Sequence, residues 1–90
     1  MEEFKTRGKQ LRADAKTLVY QFMQASDGCQ PGREGMRQTF IFKECGFGWG
    51  DDYKSATSSQ QQFWVVALLR ELAVEGKVER VFESGPWRLL

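Results

Sequence analysis

The stretch TSSQQQFWVVALLREL, residues 57–72, constrains the chain more than any other: a polar run followed by seven consecutive apolar residues, Phe63 to Leu69. A surface helix needs a single apolar stripe, so an unbroken block needs cover on more than one side. At about 100° per residue, Val65, Leu68, Leu69, Leu72 and Ala73 fall on one face, which reads as core. Phe63, Ala67 and Val74 lie nearly opposite, sharing their side with Arg70 and, further round, with Trp64 and Glu71. Either other elements wrap around this helix, or Phe63 and Trp64 face a partner. The first alternative is the more economical.

The ends of this helix are marked. Ser58 or Ser59 can cap the free amides of a first turn, and Gly76 can take the left-handed conformation that closes many helices. Beyond it, KVERVFESGPWRLL reads as a β-hairpin, with Val78, Val81 and Phe82 on one limb, Trp87 and Leu89 on the other, and ESGP as the turn. Upstream, Leu11, Ala15, Leu18, Val19 and Phe22 recur at the three-and-four interval of an amphipathic helix spanning roughly residues 9–26. Asp27 and Gly28 can end it. A second helix is expected after CQPGREG, with Pro31 in its first turn, Met36, Phe40 and Ile41 on its inner face, and Gly46 as terminator, although TFIF also has strand character. The glycine-rich GFGWGDDYKSAT that follows reads as a loop pinned by Phe47, Trp49 and Tyr53.

Ninety residues with 41% apolar side chains make one domain with one core. No apolar run approaches the roughly 20 residues of a membrane span, so a soluble chain is expected. The N-terminus lacks the apolar centre of a secretory signal, which makes cytoplasmic residence and reduced Cys29 and Cys45 the expectation. Histidine is absent, which removes the commonest general base near neutral pH. Asp51 and Asp52, the nearest carboxylate pair, sit in the glycine-rich loop and read as solvated acids. No enzyme activity, no metal and no cofactor are expected.

The segment FWVVALLRELAVEGKVERVFESGPWRL resembles the second half of a winged helix-turn-helix domain, in which a helix of the form LLxELxxEGxVxR leads directly into a two-stranded wing. The match covers about a third of the chain. It implies an α+β fold, a three-helix bundle with a C-terminal two-stranded β-hairpin (winged helix), over residues 9–90; residues 1–8 read from their composition as a basic polar arm. FGWGDDYKS followed by FWVVALLREL is also similar to the turn and third helix of the winged domain of RecQ-type helicases. In that family an aromatic residue at the wing tip can part a duplex; here Glu83, Ser84 and Gly85 occupy the tip, so that device is not matched. Winged helices serve both as DNA readers and as protein-docking modules.

The resemblance implies DNA binding, in a transcription-regulatory or DNA-processing accessory role, with the first turn of the third helix in the major groove. Ser58, Ser59, Gln60, Gln61 and Gln62 suit that place, because a glutamine amide can bond an adenine edge with both ends and serine can bind phosphate. The same residues would also serve as a cap followed by solvated glutamines. A net charge of only +1 is low for a phosphate binder, but its distribution is uneven. Lys5, Arg7, Lys9, Arg12 and Lys16 face the single acid Asp14 within residues 5–16, a basic arm able to track a backbone or simply to solubilise. Arg33 and Arg37, expected at the start of the second helix, and Arg80 on the hairpin are further phosphate candidates. Glu83 makes the wing tip unsuited to DNA, so the wing is expected to be mainly structural, with Trp87 closing it on the core. Two other readings remain: a protein-docking domain using Phe63, Trp64 and Trp49, and a homodimer rather than a monomer on DNA.

Overall fold

A computed structural model describes residues 1–47 and 58–90, and of residues 58–63 and 65 the backbone alone. Among these residues the fold is α+β: α1 (Glu2–Gln24), a 3-10 turn (Asp27–Cys29), α2 (Gln38–Glu44), α3 (Ser58–Val74), and the strands β1 (Val78–Arg80) and β2 (Trp87–Leu89). The strands form an antiparallel pair with Val78 opposite Leu89 and Arg80 opposite Trp87.

The core is built where the chain's apolar spacings converge. Val19 and Met23 come from α1, Ile41 and Phe42 from α2, Leu68, Leu69 and Leu72 from α3, and Val78, Trp87 and Leu89 from the hairpin, with Cys29 between. The hairpin packs against α3 and the first two helices cover its main face, so much of the apolar block is wrapped by other elements. Trp64 is only partly covered, at 38% exposure, with its ring 4.4 Å from that of Phe47. Val74 is 90% exposed. Phe63 and Val65, and the expected loop anchors Trp49 and Tyr53, lie outside the described side chains, as do Asp51 and Asp52.

Two helix ends follow the sequence closely. Gly46 and Gly76 both have positive φ (76° and 78°). After each, the next amide reaches back to the last full turn, Phe47 N to Phe42 O at 3.1 Å and Lys77 N to Leu72 O at 2.9 Å. This closure satisfies carbonyls that would otherwise be orphaned. At the end of α1, which has no such glycine, the Gln30 amide donates to the carbonyls of Met23, Gln24 and Ser26.

The first helix departs from expectation in extent and in orientation. It begins at Glu2 rather than near residue 9, so the segment read as an arm is helical. Glu2 and Glu3 lie in its first turn, where carboxylates favour the helix dipole. The buried line runs through Val19 and Met23, with Ala15 and Phe22 beside it, while Leu11 (70%) and Leu18 (42%) face outward. All five apolar positions are compatible with one helical face, but α3 covers only the edge of that face nearer Val19.

The second helix also differs. Pro31 lies in a turn rather than a helix, and Met36 is paired as strand: it and Trp87 exchange both backbone hydrogen bonds at 2.8 Å. Gly35 makes this approach possible. Its φ is +84°, and a β-carbon there would fall 2.8 Å from the Trp87 carbonyl oxygen. Arg37 is extended (φ −71°, ψ 147°), so the helix starts only at Gln38. Phe40 is exposed, and Phe42 takes the buried place beside Ile41.

Candidate nucleic-acid interface

The polar run Ser58 to Gln62 forms the opening of α3, whose first residue is Ser58. The body of the helix is held in the core at Leu68, Leu69 and Leu72. Ser58, Ser59, Gln60, Gln61 and Gln62 therefore belong to a helix start about two to three turns ahead of its anchored part; their side chains lie outside the described ones.

The basic candidates fall into separate groups. Lys5, Arg7 and Lys9 occupy the exposed N-terminal half of α1; Lys5 lies 3.8 Å from Glu2, and the Arg7 guanidinium stacks 5.8 Å from the Phe4 ring. Further along, α1 is clasped to α3. Arg12 lies 3.8 Å from Glu71, and Lys16 reaches Glu71 at 3.4 Å and Glu75 at 2.6 Å. Those contacts hold the Lys16 ammonium above its ordinary pKa, chiefly through the hydrogen bond to Glu75, and hold Glu75 below its own, through Lys16 and then Lys77. Arg12 and Lys16 thus spend their charge on α3.

Arg33 and Arg37 precede α2 rather than opening it. Arg33 lies in the turn before the Met36 bridge and Arg37 is the residue just ahead of Gln38; both are exposed and without a carboxylate partner among the described residues. The Arg33 carbonyl accepts a 2.8 Å bond from Arg88, whose other contact is Glu79 at 2.8 Å. Arg80 is the most committed cation. It donates to the Gly85 carbonyl and to Gln38 Oε1, both at 3.2 Å, and lies 4.8 Å from the centre of the Trp87 ring. Trp87 itself is buried, as expected, with no partner for its Nε1 among the described residues.

One residue outside the candidate set stands out by position. Arg70, exposed on α3, lines a depression of about 650 Å³ together with Gln38, Val66, Ala67, Glu71 and Arg80. Its spacing with Ala67 and Val74 already puts it on the solvent side of the helix. The wing tip Glu83-Ser84-Gly85 carries no cation, Ser84 has φ of 63°, and Phe82 at the start of the turn is 59% exposed.

No family model, curated protein or solved structure matches the chain.

The remaining chemistry is sparse. Cys29 and Cys45 are free thiols. Burial, with Glu44 adding to it, pushes Cys45 up to about 11, and burial raises Cys29 too. Neither is a ready thiolate at neutral pH. Among the described residues there is no group of three or more side chains placed to hold a metal ion, and no helix is long and apolar enough to cross a membrane.

Proposed function

We propose that the chain is a winged-helix module that binds nucleic acid, double-stranded DNA first, through the N-terminal turn of α3, as a regulatory or DNA-processing accessory unit. Three helices followed by a hairpin that packs back on the third is the order the sequence resemblance implies, and it supports the fold assignment. The observation that carries the binding reading is the division of α3. Its start is a polar run rich in amides and hydroxyls, and its body is fixed in the core by Leu68, Leu69 and Leu72. A rigidly held helix with a polar leading end is what groove readout requires. Arg7, Lys9, Arg33, Arg37 and Arg70 have no ion-pair partner among the described residues and are free to meet phosphate.

A second reading is favoured by the partly exposed Trp64 and by the diversion of Arg12, Lys16, Arg80 and Arg88 to partners within the chain. In it the domain docks a protein through Trp64 and its neighbours. Salt separates the two. Even four phosphate contacts would weaken binding about a hundredfold between about 50 and about 200 mM salt, whereas apolar docking would hold. The test is an amide-shift titration with a mixed-sequence duplex at those two concentrations. Salt-sensitive shifts at residues 7–9, 33–37, 58–62 and 70 are expected, and their absence even at low salt overturns the DNA reading in favour of docking.

A further inference from the structure

The line of α1 beside the buried one has its own regularity, exposed except at Ala15, which is half-buried against the core. Met1, Phe4, Gly8, Leu11, Ala15 and Leu18 recur at intervals of three, four, three, four and three, the seam of a helix that pairs with another helix. Phe4 and Leu11 are more than half exposed, and the open space around Gly8 holds no atom within 4 Å of where a β-carbon would stand. Beside the middle of the seam, Leu11, Ala15, Trp64, Ala67 and Leu68, with Arg12 at the edge, line a mostly apolar hollow of about 270 Å³. The seam is therefore not only exposed but indented.

The seam is complementary to itself in one orientation. Laid antiparallel on a second copy, Phe4 faces Ala15, Gly8 faces Leu11 and Met1 faces Leu18, so that every layer but the last pairs a large side chain with a small one. Phe4 then arrives opposite Ala15, at the rim of the apolar hollow. A parallel pairing would instead stack Gly8 on Gly8 and Phe4 on Phe4, alternating voids with crowding. Charge selects the same orientation. Antiparallel pairing brings Arg7 beside Asp14 of the second copy, twice by symmetry, while parallel pairing brings Arg7 beside Arg12. On the other flank Lys5 approaches Arg12 of the second copy, but each has an acid of its own chain at 3.8 Å, Glu2 and Glu71. Asp14 already accepts a 2.8 Å bond from Gln10 at one oxygen; the other is available to Arg7.

We propose that this protein forms a two-fold symmetric dimer through antiparallel α1 helices, with Phe4 of each copy seated in the hollow between α1 and α3 of the other. The interface is isologous, as two-fold pairing demands, and it does not depend on the nucleic-acid reading.

The test is sedimentation equilibrium of the full chain over a wide concentration range, with four variants. Phe4→Ser is expected to raise the dimer dissociation constant about a hundredfold, while leaving the melting temperature of the dilute protein unchanged, since Phe4 supports nothing in its own chain's core. Arg7→Asp and Asp14→Arg should each weaken the dimer about tenfold. The double variant R7D/D14R, which restores the pairs with signs reversed, should recover it. A wild-type chain that stays monomeric at every concentration, or a dimer indifferent to Phe4→Ser and to the charge exchange, overturns the proposal. So does a monomer that instead sediments with anionic lipid vesicles, which would assign the same stripe to a membrane surface.

Discussion

Arg80 illustrates how a cation that is attractive in the sequence can be occupied in the fold. Its guanidinium joins three elements: the hairpin turn through Gly85, the start of α2 through Gln38, and β2 through the face of Trp87. Two charge-assisted hydrogen bonds and one cation–π contact in a half-buried place contribute together about 1 to 3 kcal/mol. Arg80→Ala is therefore expected to lower unfolding free energy by that amount in denaturant titrations, and to weaken duplex binding only to the extent that folding is lost. An R80A chain of unchanged stability but weakened binding would return Arg80 to the phosphate contacts. Trp87 sits beneath it for the reason the sequence suggests: a large aromatic opposite Arg80 on a short hairpin has one core to enter.

At the scale of elements, the join between α1 and α3 combines apolar contact with the Lys16–Glu75 and Lys16–Glu71 pairs. The sign of its pH dependence follows from the shifts. Glu75 titrates below its ordinary value of 4.5 in the folded chain, so its contribution is present above that value and is lost as pH falls through the lower folded one. Lys16 titrates above 10.5, so its contribution is complete below 10.5 and is lost as pH rises past the higher folded value. The clasp is whole between those limits. Glu75→Gln is expected to lower the melting temperature near pH 7, with the gap narrowing as pH falls below 4.5 and closing once the folded carboxylate is protonated, and with added salt shrinking it at neutral pH because the pair is solvent-exposed. A gap that persists in acid would show that the side chain acts through packing instead.

The same elements show what the sequence makes legible. The extent of α3, the left-handed glycines after α2 and α3, and the hairpin partners Val78, Trp87 and Leu89 all follow from local signals: serines ahead of an apolar block, a glycine, alternation. What escaped is set by tertiary contact. Residues 2–8 carry no periodic core signal, because they make little core, yet Glu2, Glu3, Lys5 and Arg7 are good helix formers. Met36 reads as helical until Gly35 and Trp87 draw it into a bridge. Leu11 and Leu18 share spacing with Val19, and only the position of α3 decides which edge is buried. For the candidate interface, the residue types were readable and the partners were not: Arg12, Arg80 and Arg88 meet acids or carbonyls that lie far away in sequence.

The whole molecule measures 43 × 32 × 23 Å, and the long axis accommodates a 23-residue α1 that runs about 34 Å. Only its second half is buried, at Val19 and Met23. The first half, residues 2–14, is exposed throughout and, apart from the Arg12–Glu71 pair near its end, has to hold its shape with helix propensity, two acids in the first turn, the Lys5–Glu2 pair and the Gln10–Asp14 hydrogen bond. A free stretch of about 12 residues is marginal as a helix in water, and Gly8 within it costs about 1 kcal/mol relative to alanine. Local opening should therefore begin at this end, far below the free energy of global unfolding. Native-state hydrogen exchange offers a direct reading. In dilute protein the amides of residues 5–14 should exchange fast, and those of residues 19–23 and 68–72 should exchange only through global unfolding. If α1 pairs with a second copy, raising the protein concentration must slow residues 5–14 selectively, since a dimer stabilises only what it covers and does so by mass action. Protection that is already high in dilute Phe4→Ser protein would mean that this half of α1 is stable alone, and the open helix would then owe nothing to a partner.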